Sequence, residues 1–345
     1  MTSTKSGLVG GLYEIGVGVA DLEAAMSFWQ AFGYTPGPQG SLSAPKAMAL
    51  YAVASDLTSV RLVHQNAVHG LIRLLKWQRP TGPGLGHAAM RSTGSRWSVH
   101  RTQDIMNVFN HAEVARQQGI DVHLRGPLIN VRSPARGFEQ KPFAGPVRAS
   151  HNLQMTFPEA RVVAMQRYNI AMAHYGTFAT DSLCRTTEGC HMGLVVTGED
   201  FSVFDFYADV LGFKVGKKVH IKYEPGYTPS DFFDLSPGEH FTECDFEDPI
   251  SGDTPDTQLP GRLRAFLIHN ARPQPDLRRA SQPGNLGYSL YTVRVKDLAA
   301  TRVAVLAYTQ QDGATGVSDI TPDEFGTPAF SFTAPDGYAW TALQA

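Results

Sequence analysis

Cysteine is scarce in this chain: three thiols, Cys184, Cys190 and Cys244, stand among 345 residues. That number excludes a disulfide framework, and the spacing of Cys184 and Cys190 is not that of a zinc or redox CxxC motif. Reduced thiols in a cytoplasmic protein are the expectation. Charge of one sign is lacking as well, since 30 Lys and Arg face 32 Asp and Glu for a net charge of −2. Electrostatics therefore gives no reason to expect nucleic acid or an anionic membrane as partner. No segment offers the roughly eighteen unbroken apolar residues of a membrane span, and residues 1–16 lack the apolar stretch of a signal peptide. Nucleotide and nucleophile-elbow motifs are missing too. Gly16-Val17-Gly18 falls inside an expected strand, not at a strand-to-helix turn, and no GxSxG or Walker A pattern occurs.

What the chain does have is an internal repeat. Residues 14–34 read EIGVGVADLEAAMSFWQAFGY, and residues 191–213 read HMGLVVTGEDFSVFDFYADVLGF, about 180 residues later. Each copy starts with the alternation of a half-buried strand. An acid then marks a helix start (Asp21; Glu199 and Asp200), and a glycine, Gly33 or Gly212, ends it. Weaker copies begin at RWSVHRTQD (96–104) and GYSLYTVRVKD (287–297), with chain reversals at Gly119 and Gly313. Apolar runs suited to strands follow each helix: LIRLLKW (71–77), LQMTF and RVVAMQRY (within 153–168), LRAFLIH (263–269) and FSFTAPDGYAWTAL (330–343). In the last, Pro335-Asp336-Gly337 predicts a hairpin turn. The pattern is βαβββ four times. Two long stretches, 125–150 and 223–261, carry no period and read as insertions that cover a site or vary freely on the surface.

These residues, ADLEAAMSFWQAFGY, FSVFDFYADVLGF and the closing APDGYAWTAL above all, resemble the vicinal oxygen chelate superfamily, which includes glyoxalase I, bleomycin-resistance proteins, methylmalonyl-CoA epimerase and extradiol dioxygenases. The resemblance covers nearly the whole chain. It implies an α+β fold in which four βαβββ modules form two paired-module open cups. The expected division is an N-terminal half over 1–172, a linker over 173–186 and a C-terminal half over 187–345, each half pairing its own two modules. A homodimer is a further implication of the family, although four modules in one chain suffice to complete the cups.

The resemblance also implies one divalent metal, held by His and Glu from the first and last strands of the paired modules. Carried over position by position, the first strands offer Glu14, Trp97, His191 and Tyr288. The last strands offer Ala164 and Thr341. One ligand per half is not a metal centre, so no metal and no other cofactor is expected. Moving the frame by one residue would bring in His100 or His269, but it would also turn those side chains to the other face of the sheet. The expected activity is proton transfer of lyase or isomerase type on a small aromatic or carbonyl compound, with His191, Glu14 and Tyr288 as catalytic candidates. Trp97, Tyr338, Thr341 and Arg272 are the substrate-binding candidates, joined by an aromatic loop (Tyr223, Tyr227, Phe232, Phe233). Two alternatives belong to other classes: an iron or manganese dioxygenase with displaced ligands, and a non-catalytic protein that sequesters an aromatic ligand.

Overall fold

Four modules follow one another along the chain in the computed structural model, which describes residues 7–132, 147–224 and 228–345. The first contains β1 (Leu8–Gly18), α1 (Leu22–Gln30), β2 (Tyr34–Leu42), α2 (Ala44–Tyr51), β3 (Leu57–His64) and β4 (Leu71–Trp77). The second contains β5 (Arg96–Thr102), α3 (Ile105–Gln117), β6 (His123–Arg132), β7 (Arg148–Thr156) and β8 (Arg161–Tyr168). In the third, β9 (Thr186–Thr197) leads through a 3₁₀ turn (Phe201–Phe204) to α4 (Asp205–Asp209), β10 (Lys214–Lys222), α5 (Thr228–Phe232), β11 (His240–Glu247) and β12 (Arg262–His269). The fourth contains β13 (Gly287–Val295), α6 (Leu298–Ala307), β14 (Thr321–Pro322), β15 (Pro328–Thr333) and β16 (Ala339–Gln344).

Local chemistry accounts for the boundaries. The Asp21 carboxylate accepts from the amides of Glu23 (2.8 Å) and Ala24 (3.0 Å), donors that the first turn of α1 leaves open. Gly33, at φ +88°, reverses the chain into β2 in a conformation closed to most side chains. Between the second and third modules, residues 169–185 form no helix or strand. The α2 helix has no counterpart in the sequence pattern, whereas β10 begins right after Phe213, where a strand is expected.

Each set of strands curls into an eight-stranded sheet. Their orders are β14-β15-β16-β13-β1-β4-β3-β2 and β10-β11-β12-β9-β5-β8-β7-β6. The first sheet joins modules one and four, and the second joins modules two and three. Pairing within each half, the expectation from the sequence, is thereby corrected. Antiparallel contacts of β1 with β13 and of β5 with β9 link the modules. The sequence specifies a module and its buried faces but not which partner its free first strand joins, because either partner continues the same ladder.

One core draws on both sheets, with Ile15, Val17, Met192, Leu194 and Val293 among its members, and on α1, α3 and α6. Strand alternation fixes what the opposite faces can do. The opposite face of the first sheet packs against α2, where Ala47, Leu50 and Tyr51 meet Leu57, Leu75, Trp77 and Leu290. The opposite face of the second sheet keeps an open cavity.

Candidate functional site

That cavity measures about 430 Å³ and lies over the centre of the second sheet. Its floor is aromatic and aliphatic. Trp97 from β5 lies against Phe266 of β12 (ring centroids 5.5 Å apart), and Phe232 and Phe233, at the end of α5, approach Trp97 at 5.7 and 5.9 Å. Val99, Val163 and Met165 complete the apolar surface. The indole fits because β9 offers a glycine opposite it. A Cβ on Gly193 would sit 2.0 Å from Trp97 Cε2 and 2.6 Å from Nε1. Gly193→Ala is therefore expected to push the indole out of place and cost about 1–3 kcal/mol, as overpacked cores do, read from the urea midpoint.

His191 stands in this lining, buried on β9. Its Nδ1 lies 3.0 Å from the Tyr175 hydroxyl. Burial pushes the Tyr175 hydroxyl up to about 12, so it stays protonated in its hydrogen bond with the ring. Burial first, then the guanidiniums of Arg264, Arg262 and Arg167, hold the His191 imidazole well below its ordinary value. The ring is held neutral.

Cations share the polar wall with Asn130, Ser150 and Asn152. Arg264 lines the cavity, and Asp245 grips it through Nε–Oδ1 (2.6 Å) and Nη2–Oδ2 (3.1 Å). Asp245 also accepts from Arg262 Nη1 at 2.7 Å, and Arg262 reaches Glu247 at 2.7 Å. This paired network fixes the Arg264 fork, the geometry that suits a carboxylate or other planar anion. Arg167 and Lys217 add positive charge, and Glu243 is the carboxylate among the described lining residues.

Of the eleven residues singled out from the sequence, His191, Trp97, Phe232 and Phe233 share this cavity. Glu14 lies in the other cup, wholly buried. Arg61 Nε donates to its Oε2 at 2.6 Å, and Arg73 Nε lies 3.1 Å from Oε1. Burial pushes the Glu14 carboxyl up, but the Arg61 and Arg73 charges overrule it and hold the group below the usual carboxylate range. Arg73 also reaches Glu324, Tyr51 and Thr292. Thr341 is in the same filled cup, 2.9 Å from the Ser331 hydroxyl.

Tyr288 sits behind the sheet, its hydroxyl 2.8 Å from Ser98. The cause is a bulge. Gly16 pairs with Leu290 but Val17 pairs with Tyr288, so the extra residue, Ser289, rotates Tyr288 to the core face. Tyr338 is also in the core, accepting from the amides of Gly94 and Val195 at 3.0 Å. Arg272 is half-exposed outside the lining and ties Asp234 to Glu239. His100 lies on the core face of β5, with Nε2 2.8 Å from Ser98 Oγ, and His269 lies on the same face of the sheet, at the end of β12. Tyr227 and most of the 125–150 insertion lie outside the described residues. Arg264 and Asp245 were missed, although Arg262 and Arg264, alternating at the start of RLRAFLIH, were a signal for the first of them. Tyr175, from the aperiodic linker, had none.

The metal this fold implies can be tested against these donors. Around His191 the strand centres carry Val99, Val163, Trp97 and Arg264. In the filled cup, Glu14 is already occupied by two guanidiniums. Neither set fits a site of three His or carboxylate ligands.

No family model matches the chain, and no curated protein matches it. Among solved structures it is similar to a glyoxalase I mutant from Zea mays, at 14% identity over 97% of this chain and 93% of that one, with a TM-score of 0.54. A second Zea mays glyoxalase I mutant gives the same identity and score over 97% and 92%. A Bacillus subtilis protein provisionally named a dioxygenase aligns at 10% identity over 99% and 86%, with a TM-score of 0.52. The chain has the fold of the vicinal oxygen chelate superfamily, and identities this low carry the fold and not the chemistry. No helix among the described residues is long and apolar enough to cross a membrane.

Proposed function

We propose that the cup of the second sheet is the active site of an enzyme that moves a proton on a small planar substrate bearing a carbonyl and an anionic oxygen. The chemistry is of lyase or isomerase type and uses protein groups in place of a metal. The observation that carries this reading is the neutral His191, set between an aromatic floor and a fixed guanidinium. An aromatic ring would stack on Trp97 and Phe266, with its anionic oxygen on Arg264. The His191 Nε2–H would then donate to the carbonyl oxygen. A neutral imidazole is a suitable donor here, because it stabilises a developing enolate without first protonating it. Glu243 is the group to accept the carbon-bound proton.

Deuterium wash-in tests this directly. Aromatic 2-oxo acids and related carboxylates, incubated with the chain in D₂O and followed by NMR, are expected to exchange a proton next to the carbonyl. His191→Ala should slow the exchange by about 10²–10⁴-fold with a smaller loss of binding. Bound ligand recovered without any exchange would replace this reading with sequestration. Exchange abolished by a chelator and restored by iron or manganese would replace it with a metal enzyme.

A further inference from the structure

On the core-facing side of the second sheet, opposite the cavity, three histidines from three adjacent strands form a triangle where that face runs out to solvent. His220 is on β10, His240 on β11 and His269 on β12. Their faces follow from alternation: Val219, Ile221, Phe241, Glu243, Arg264 and Phe266 line the cavity, so the residues of opposite parity point away from it. Register brings the three together. His240 is paired directly with His269, and His220 with Thr242, two places along β11. Ring centroids lie 4.7 Å apart for His220–His240, 4.7 Å for His240–His269 and 5.8 Å for His220–His269. One ring nitrogen from each falls within 4.8 Å of the others.

A chain of hydrogen bonds prepares these nitrogens. Glu199 Oε2 lies 3.2 Å from His269 Nδ1, and the same carboxylate accepts from the amide of Asn270 at 3.1 Å. With its Nδ1 proton given to Glu199, His269 keeps the lone pair on Nε2. That atom is 2.9 Å from the Thr242 hydroxyl, which is also 3.1 Å from His220 Nδ1. A carboxylate behind a histidine is the outer arrangement that orients metal-bound imidazoles. We propose that His220, His240 and His269 form a binding site for a divalent cation of the zinc, nickel or copper class, oriented by Glu199 and distinct from the cup. Imidazole donors select these ions over magnesium or calcium. His220 is exposed and His240 half-buried, so an ion can enter from solvent and a coordination position stays open. Bound there, it would tie β10, β11 and β12 together behind the strands that carry Glu243 and Arg264. This site does not depend on the proposed reaction, because the cavity lies on the other face.

The test uses the full chain, stripped with a chelator and titrated with Zn²⁺ by calorimetry and with Co²⁺ by visible absorption. The expected result is one equivalent bound, with the intense d–d bands of a low-coordinate imidazole site and a higher unfolding temperature. His220→Ala, whose side chain is exposed and leaves the core intact, should abolish the bands. Glu199→Gln should weaken Zn²⁺ binding by about 10–100-fold. His191→Ala should change neither. No binding of Zn²⁺ or Co²⁺ would overturn the site, and so would binding that survives His220→Ala combined with His240→Ala. The second result would move the ion elsewhere, for instance to His87, Asp121 and His123, which also lie close together.

Discussion

Acidification from pH 7 to 4.5 is expected to remove about 3 kcal/mol of stability through His64 and His100 net of the gain at Asp336, a large share of the roughly 5–15 kcal/mol typical of a folded chain. The cause is three buried, neutral histidines. Burial pushes His64 down to about 4 and His100 down to about 3, and holds His191 well below its ordinary value. Each takes up a proton in the unfolded chain near pH 6.5 but not in the folded one. Their stabilising effect is thus complete above pH 6.5 and is lost as the pH falls toward the folded values. Each uncompensated proton costs about 1.4 kcal/mol per pH unit. Acids that burial raises work the other way, Asp336 and Glu188 above all, with Glu159, Asp205 and Asp323 beside them. Burial pushes Asp336 up to about 6 and raises Glu188, so both are protonated in the folded state first and offset part of the loss. Urea unfolding at pH 7.5, 6 and 4.5 measures the net slope. His64 is the sharpest probe, because its ring nitrogens make no hydrogen bond and the nearest carboxylate oxygen, on Glu188, is 3.8 Å away. His64→Met should flatten the slope and raise stability at pH 5. An unchanged slope in that variant would show that His64 titrates normally.

The sequence disclosed the modules because their signals are local. Asp21, Gly33, Gly119, Gly313 and the turn ending at Gly337 each act through the backbone within a few residues, and all four glycines have positive φ. The partnership of modules one with four and two with three was not legible, since it depends on which free strand edges meet. Site positions were read by counting along strands. That count held for Trp97 and His191 and failed at Tyr288, where the bulge at Ser289 exchanges the two faces. It could not distinguish an open cup from a filled one either. Both cups carry an insertion between their second and third strands: α2 fills the first, whereas α5 only roofs the second. The difference lies in tertiary packing of Leu50 and Tyr51, which no periodicity of the short segment SAPKAMALY announces.

Glu14→Gln is expected to destabilise the chain by about 3–5 kcal/mol, the usual consequence of removing one member of a buried ion network. Arg61 and Arg73 both rest on Glu14, and neither side chain is more than 9% exposed. Without that carboxylate, Arg61 would lose its ion pair, while Arg73 would keep Glu324, which it contacts at 3.3 Å and whose other oxygen accepts from Tyr51 at 2.8 Å. Repulsion between the two guanidiniums would then be relieved by opening the contact between α2 and the 323–325 turn, where Phe325 covers Arg61 at 4.2 Å. Replacing Glu14 and Arg61 together with methionine should recover much of the loss, because Arg73 keeps its pair with Glu324 and well-packed apolar pairs often match buried ion pairs in stability. The same variants decide whether Glu14 has any part in chemistry. A carboxylate held ionised by two guanidiniums is a poor proton acceptor, so the refolded double variant should retain deuterium exchange in the other cup. If it is stable yet inactive, Glu14 regains the catalytic role that its strand position suggested, and the filled cup must open during turnover.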